Sequence, residues 1–191
     1  IIMYLLAFKI ANTKKLLSKE EIISNIQYML SLEEKVKEIL NNTDKIKYFA
    51  SKFQNAENLF FIGRGTDYSI ALEGSLKLKE ISYIHSEAYA AGELKHGAIS
   101  LITNNFPVVA VAMDENLFEK TISNIKEVKS RGGKVLLITN DEIIKNKEIS
   151  LEKDVTKYIL TIPKVKDLFM PILTIIPLQL FAYYMAVLRG C

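Results

Sequence analysis

The sequence has little of what several classes of protein require. It contains no tryptophan, two histidines and one cysteine, Cys191. A single cysteine cannot form a disulfide within the chain or a cysteine-rich zinc site, and two histidines cannot form a histidine metal cage. We therefore expect a protein of a reducing compartment, the cytoplasm, that holds no metal.

An excess of charge of one sign is also missing. The 25 lysines and arginines are interspersed with 22 acidic residues, which gives a formal net charge of +3. No basic stripe with interleaved aromatic residues follows the chain, although such a stripe is typical of proteins that track a phosphate backbone. The sequence therefore favours a protein with no nucleic-acid partner.

Long uncharged apolar runs are rare. The opening run of residues 1–11 is short and soon reaches lysines, so it fits neither a signal peptide nor a membrane span, and we expect it to be the cut end of a longer chain. Residues 168–188 are uncharged and long enough to cross a bilayer. However, Pro171, Pro177 and Gln179 interrupt this run. We interpret it as a buried helix at a domain or subunit interface, and we expect no membrane contact.

The apolar residues that are present suffice for one core with a helical extension, since they make up 49% of 191 residues. The pattern is helical up to about Phe53 and then changes to short apolar runs at residues 58–63, 107–113, 134–140 and 157–162. Such runs alternating with helices predict a parallel, three-layer α/β domain that begins near Lys45. Residues 115–131 are predicted to form a crossover helix that ends at a pair of glycines.

One predicted helix, residues 66–84, carries an unusual charged stripe. At 100° per residue, Glu73, Lys77 and Glu80 fall on one face with apolar residues on both sides. Ser75, Lys79 and Ser82 are predicted to lie on the side that faces more water. Apolar flanks would desolvate the charges and allow a carboxylate to act as an acid or base. The alternative is a pair of ordinary ion pairs that stabilise the helix. The residues alone leave both interpretations open.

Two further features flank this helix. His96 follows it in the segment AGELKHG, where a histidine acts as a general acid or base or, more commonly, simply bonds a backbone carbonyl. His85, near the predicted helix end, is interpreted as a partner of the helix dipole. Gly63 and Gly65 precede the helix, as in a phosphate-binding loop or in a tight turn that needs glycine.

Together these motifs resemble a known family. The segment GRG, the run YSIALEGSLKLKEISYIHSEAYAAGELKHG, the turn RGGKV and the run IIPLQLFAYYMAVLRG are similar to the carboxyl-terminal part of glutamine:fructose-6-phosphate aminotransferases, the glucosamine-6-phosphate synthases. The resemblance covers nearly the whole chain. It implies a second sugar-isomerase (SIS) domain at residues 45–191 with a five-stranded parallel sheet flanked by helices. Residues 1–44 would be a helical segment that ends the preceding SIS domain and connects the two.

The resemblance also implies a site. Glu80 would move a proton between the first and second carbons of the open-chain sugar, and Lys77 would assist that transfer. His96 would open the sugar ring and would reach the active site of the neighbouring subunit. No cofactor and no metal are implied. The loop at residues 63–66 is not assigned to the substrate phosphate, because the first SIS domain of the family supplies most sugar-phosphate contacts.

The implied function is the isomerase part of the conversion of fructose 6-phosphate and glutamine-derived ammonia to glucosamine 6-phosphate, in amino-sugar biosynthesis. The implied partners are these sugar phosphates, a second subunit in a homodimer, and the preceding SIS and glutaminase domains of the family. The chain stops before the family's tail lysine that forms the imine, so we expect it to be inactive alone. Two alternatives are a free-standing SIS module that senses a sugar phosphate without catalysis, and a scaffold whose stripe faces solvent.

Overall fold

The structure, a computed structural model, describes residues 1–146 and 155–191. The described chain divides into two compact units, Ile1–Asn41 and Asn42–Cys191. The predicted boundary at residues 44 and 45 lies close to this division. The assignment of the two pieces to domains of a longer protein stays a prediction.

The first unit consists of two helices that contact each other, α1 (Ile2–Thr13) and α2 (Lys19–Asn41). A reciprocal pair of hydrogen bonds explains where α2 begins. The backbone N–H of Ser18 donates to Oε2 of Glu21 at 2.8 Å, and the backbone N–H of Glu21 donates to Oγ of Ser18 at 3.1 Å. These bonds satisfy N–H groups that the first helical turn otherwise leaves without partners.

The second unit alternates strands and helices, as predicted. Its strands are β1 (Asn58–Gly63), β2 (His85–Ala90), β3 (Pro107–Val111), β4 (Lys134–Asn140) and β5 (Tyr158–Ile162). Its α-helices are α3 (Asp44–Phe53), α4 (Thr66–Ser82), α5 (Phe118–Ser130), α6 (Asp141–Asn146) and α7 (Met170–Arg189). Short 3₁₀ turns lie at Leu94–His96, Ala98–Leu101 and Asp167–Phe169.

The five strands form one parallel sheet in the order β2-β1-β3-β4-β5. This arrangement confirms the predicted α/β class and the five-stranded sheet. Strand β3 is buried along its whole length, and β1 and β4 are buried except at their first residues, as near-continuous apolar runs predict. The order reverses at β1, because the chain leaves β1 for β2 on one side and later returns to place β3 on the other.

The residues alone did not predict strand β2. Its sequence, HSEAYA, mixes polar and small residues because it lies at the edge of the sheet and is only partly buried. The interpretation of His85 as a partner of the helix dipole was wrong. Helix α4 ends at Ser82, and His85 begins β2, where its Nδ1 lies 3.0 Å from Oδ1 of Asn58.

Two different layers cover the sheet. Helices α4, α7 and α3 pack together on one face. On the other face, α5 and the turns after β2 share a core that includes Phe60, Ile62, Leu94 and Ile125. Helix α5 ends at Ser130, and Gly132 follows with a positive φ of 85°, which agrees with the predicted glycine end of this helix.

The long apolar run forms helix α7, which would suit a membrane span by length and composition alone. In this unit α7 instead lies against α4 and α3, and its side chains Leu173, Leu178, Phe181 and Met185 are buried. Pro177 lies within the helix and is buried as well. The contacts agree with the interpretation of this run as a packed helix.

We predict that Gly63→Ala lowers the free energy of unfolding by about 2 kcal/mol. A Cβ at this position would lie 2.5 Å from the backbone C and O atoms of Asp67, so the first turn of α4 would have to move. Gly97→Ala is the matched control, because its Cβ would meet nothing within 4 Å. Urea unfolding of both variants measures the difference, and equal stabilities would contradict the prediction.

Candidate functional site

Helix α4 brings the predicted proton-transfer residues together. Nζ of Lys77 lies 2.5 Å from Oε2 of Glu80 and 3.6 Å from Oε1 of Glu73. The spacings of three and four residues place the three side chains on one face of the helix, as expected. We call Glu73, Lys77 and Glu80 the charged stripe.

The charged stripe faces away from the sheet and is open to water in this chain. The side chains of Glu73 and Glu80 are 45% and 48% exposed, and that of Lys77 is 29% exposed. The large apolar side chains on either side are exposed too: Leu72, Leu76, Ile81 and Tyr83. An outward helix face that combines large apolar residues with a charged network is unusual for a solvated surface, where scattered single apolar residues are the norm.

Small residues form the opposite, buried face of α4. Ala71, Gly74 and Ser75 let the helix approach its neighbours so closely that a Cβ on Gly74 would lie 2.9 Å from Cδ1 of Leu178. The prediction that Ser75 and Ser82 lie on the solvent-exposed side of the helix was wrong, because both are buried. Oγ of Ser75 lies 2.9 Å from Oγ of Ser86 on β2, and Oγ of Ser82 donates to the carbonyl of Leu78, so both hydroxyls are satisfied inside the core.

The charged stripe also stabilises the protonated form of its lysine. The hydrogen bond to Glu80 raises the pKa of Lys77, although partial burial opposes the rise, and the negative charges of Glu80 and Glu73 add to it. Lys77 is therefore an ammonium group at neutral pH. In this state it can donate a proton or stabilise a developing negative charge, whereas it cannot accept a proton.

His96 lies at the end of the 3₁₀ turn Leu94–His96. Its side chain is 63% exposed, and its Nε2 lies 3.9 Å from Oε2 of Glu93. Leu94, two residues earlier, is buried in the core and anchors the turn. The imidazole therefore projects from a fixed turn into solvent.

This chain does not bring His96 to the charged stripe. Phe61 of β1 points toward Gly74 of α4, whereas Phe60 and Ile62 point into the core shared by α5 and Leu94. Successive side chains of a strand point to opposite faces, so α4 and the turn that carries His96 lie on opposite faces of the sheet. His96 and the charged stripe therefore do not form one site within this chain.

A separate cleft of about 130 Å³ lies beyond the carboxyl ends of β1 and β3, where the strand order reverses. Its lining includes Thr66, Asp67, Met113 and Thr174, and it includes neither the charged stripe nor His96. Open parallel sheets often bind ligands at such a position.

Asp67 of this cleft was not predicted as a site residue, because an aspartate in the first turn of a helix is common. It is 6% exposed and accepts the backbone N–H groups of Met113 at 2.8 Å and Asp114 at 3.3 Å. Burial raises the pKa of the Asp67 carboxyl group, and these two hydrogen bonds oppose the rise. The bonds tie the start of α4 to the segment after β3.

Comparisons with known proteins agree with this architecture. The family model described as SIS domain matches residues 52–189. The chain is 49% identical over 189 residues to the glutamine–fructose-6-phosphate aminotransferase [isomerizing] of Clostridium tetani, which covers 99% of this chain and 30% of that protein. The enzyme of the same name from Methanosarcina acetivorans is 44% identical over 193 residues, again over 30% of its length. The chain thus spans about 30% of the length of these relatives.

Solved structures show the same fold. The C-terminal domain of glucosamine-fructose-6-phosphate aminotransferase from Francisella tularensis superimposes with a TM-score of 0.85 at 36% identity, over 97% of this chain and 50% of that one. The sugar isomerase domain of an RpiR transcription factor from Sphaerobacter thermophilus gives a TM-score of 0.70 at 14% identity, over 87% of this chain and 91% of that one. The second likeness concerns the fold alone.

We predict that Glu80→Gln lowers the pKa of Lys77 toward its ordinary value, because the amide keeps the shape of the carboxyl group but not its charge. A raised lysine pKa means that the ion pair stabilises the fold below the ordinary lysine pKa and that this stabilisation is lost as pH rises through the raised value. NMR titration of the lysine Cε signals measures the change.

Glu33→Gln is the control, since Glu33 pairs with Lys37 at 2.6 Å on α2. It should lower the pKa of Lys37 and leave that of Lys77 unchanged. An unchanged Lys77 pKa in Glu80→Gln would show that Glu80 does not hold the ammonium group.

Proposed function

This chain belongs to the SIS domain family. From its similarity to the relatives named as aminotransferases, we propose that it is the C-terminal SIS domain of a glutamine:fructose-6-phosphate aminotransferase. In the proposed enzyme it contributes the isomerase step that converts fructose 6-phosphate and glutamine-derived ammonia to glucosamine 6-phosphate. The observation that carries the proposal is the charged stripe, an ammonium group bonded to a carboxylate on an otherwise apolar helix face.

Residue types and geometry support the proposed roles. Isomerisation moves a hydrogen from the first carbon of the open-chain sugar to the second, so one group must take a proton from carbon and give it back at the neighbouring carbon. The Glu80 carboxylate takes and returns this proton. The Lys77 ammonium, 2.5 Å from Glu80, stabilises the negative charge that develops on the adjacent oxygen or nitrogen and supplies a proton there.

The exposed apolar residues around the stripe support a covered site in the complete enzyme. Leu72, Leu76, Ile81 and Tyr83 would form the walls of a dry pocket once another domain lies over α4, and water exclusion strengthens each electrostatic contact inside. We propose that the preceding SIS domain provides this cover and that His96 opens the sugar ring from the neighbouring subunit of a cytoplasmic homodimer. The opposite placement of His96 and the stripe supports a contribution from two subunits.

The sensor interpretation has weaker support. The RpiR domain shares the fold at 14% identity, whereas the relatives named as aminotransferases share 42–49% of the aligned residues. A sensor also has no need of a carboxylate and an ammonium group arranged for proton transfer. The enzyme is therefore the function we propose.

Glu80→Gln in the complete enzyme is expected to lower kcat by at least roughly 100-fold, the usual contribution of a general acid–base group, while KM for fructose 6-phosphate stays within a few-fold. Glu127→Gln, on α5 across the sheet, is the control and should keep full activity. Turnover is measured as glucosamine 6-phosphate formed. Unchanged turnover would contradict the proton-transfer role of Glu80, whereas a wild-type protein that binds the sugar phosphate without any turnover would favour the sensor.

The chain alone is expected to fold cooperatively but to form no glucosamine 6-phosphate from fructose 6-phosphate and ammonia. The physical reason is that water reaches all three members of the charged stripe in this chain, so the sugar would find no closed pocket. Circular dichroism during urea unfolding measures folding, and a product assay measures turnover. Turnover by the chain above that of its Glu80→Gln variant would contradict the prediction.

A further inference from the structure

The geometry of the turn between β1 and α4, residues 63–65, accounts for both of its glycines. Gly63 has no room for a Cβ beside the backbone of Asp67, and Gly65 has a φ of 56°, which residues with side chains rarely adopt. Both glycines are therefore explained by the sharp turn from strand to helix. Arg64, between them, remains to be explained.

The side chain of Arg64 extends from this turn to helix α5. Its Nε and Nη2 donate to Oδ1 of Asn124 at 3.1 Å and 2.9 Å. Asn124 is 5% exposed, so its amide has a fixed position in the core layer. Two donors from one planar guanidinium fix the orientation of that group more strongly than a single bond would.

The guanidinium group in turn lies against the start of the segment that carries His96. A Cβ on Gly92 would lie 2.8 Å from Nη2 of Arg64 and 3.2 Å from its Cζ. The neighbouring backbone is held as well, because the N–H of Ala91 donates to the carbonyl of Gly63 at 2.8 Å. The β1–α4 turn thus contacts residues 91 and 92 through both its backbone and its arginine.

The contacts continue toward His96. Leu94 is buried, and the backbone N–H of His96 donates to the carbonyl of Glu93 at 3.0 Å, so few free torsions separate Gly92 from the histidine. Displacement of Gly92 would therefore change the direction in which the exposed imidazole projects.

We propose that Arg64 is a positioning residue for His96: held by Asn124, its guanidinium group fixes Gly92 and thereby the course of the turn from which His96 projects. The catalytic meaning of this role rests on the proposed function, whereas the structural coupling does not. The proposal gives the GRG motif a role other than binding a phosphate group, and it explains why a glycine stands at position 92.

Hydrogen exchange and NMR of this chain test the coupling. Arg64→Ala and Asn124→Ala should raise amide exchange of residues 92–97 at least about tenfold and should shift the His96 Hε1 signal. Thr121→Val is the matched control, because Thr121 is buried on the same helix and, within residues 1–146 and 155–191, its hydroxyl donates only to the carbonyl of Leu117. The chain has two histidines, so His85→Gln identifies the His96 signal.

Two further variants separate positioning from general loss of stability. Arg64→Lys keeps the positive charge but loses the planar group with two donors, so its amide exchange and His96 signal should resemble those of Arg64→Ala. Wild-type exchange and an unshifted signal would overturn the proposal. Gly92→Ala should shift the His96 signal by pressing its Cβ against Nη2, and the double variant Arg64→Ala/Gly92→Ala should shift it no further than Arg64→Ala alone. Additive shifts would show that the two residues do not act through their contact, and would also overturn it.

Kinetic measurements on the complete enzyme then test whether this positioning role affects catalysis. Arg64→Ala should lower kcat roughly 10- to 100-fold with a smaller change in KM, as expected when a catalytic group is misplaced, and Thr121→Val should not. Full activity of Arg64→Ala would overturn the positioning role in catalysis. If His96→Asn keeps full activity, the role of His96 in the proposed function fails, while the exchange and NMR results still decide whether Arg64 positions the turn.

Discussion

The close fit of helix α4 against its neighbours is the contact on which the candidate site depends. Gly74 leaves no space for a larger side chain beside Leu178, and Ser75 bonds Ser86 of the adjacent strand. Once these small residues occupy the buried face, helical periodicity places Glu73, Lys77 and Glu80 on the outward face. A helix that packed through large side chains would lie farther from the sheet, since side-chain size sets the distance between packed elements. The packing of the small residues on the buried face of α4 thus determines where the charged stripe lies.

The division of the candidate residues between two faces has a similar origin. Alternation along β1 sends Phe61 toward α4 and Phe60 toward the core beneath Leu94. No rotation of side chains can overcome this separation, because the sheet lies between the two groups. In the enzyme proposed above, the two groups would meet only when two copies assemble.

Much of the fold could be predicted from periodicity. The buried strands β1, β3 and β4 are nearly uninterrupted apolar runs, and the glycines after α5 marked its end. Strand β2 could not be found in this way, because an edge strand need not be apolar and HSEAYA follows a helix without a clear break. Ser75 and Ser82 were misplaced for a related reason, since hydrophobicity does not reveal that a small hydroxyl can be buried when it finds a partner. The shared face of the charged stripe followed from spacing alone, whereas the contact of Arg64 with Gly92 joins distant segments and required coordinates.

The crossover from β2 to β3 differs from the β1–β2 and β3–β4 connections because two 3₁₀ turns occupy the place of a long helix. Turns of this kind have poorer hydrogen-bond geometry than an α-helix and carry little cooperative stability. The course of the segment that carries His96 is consequently held more by its neighbours, through the burial of Leu94 and the contact of Arg64 with Gly92, than by a helical ladder of its own. A substitution in a neighbouring element can therefore redirect this segment, whereas helix α4 keeps its direction through its own backbone hydrogen bonds.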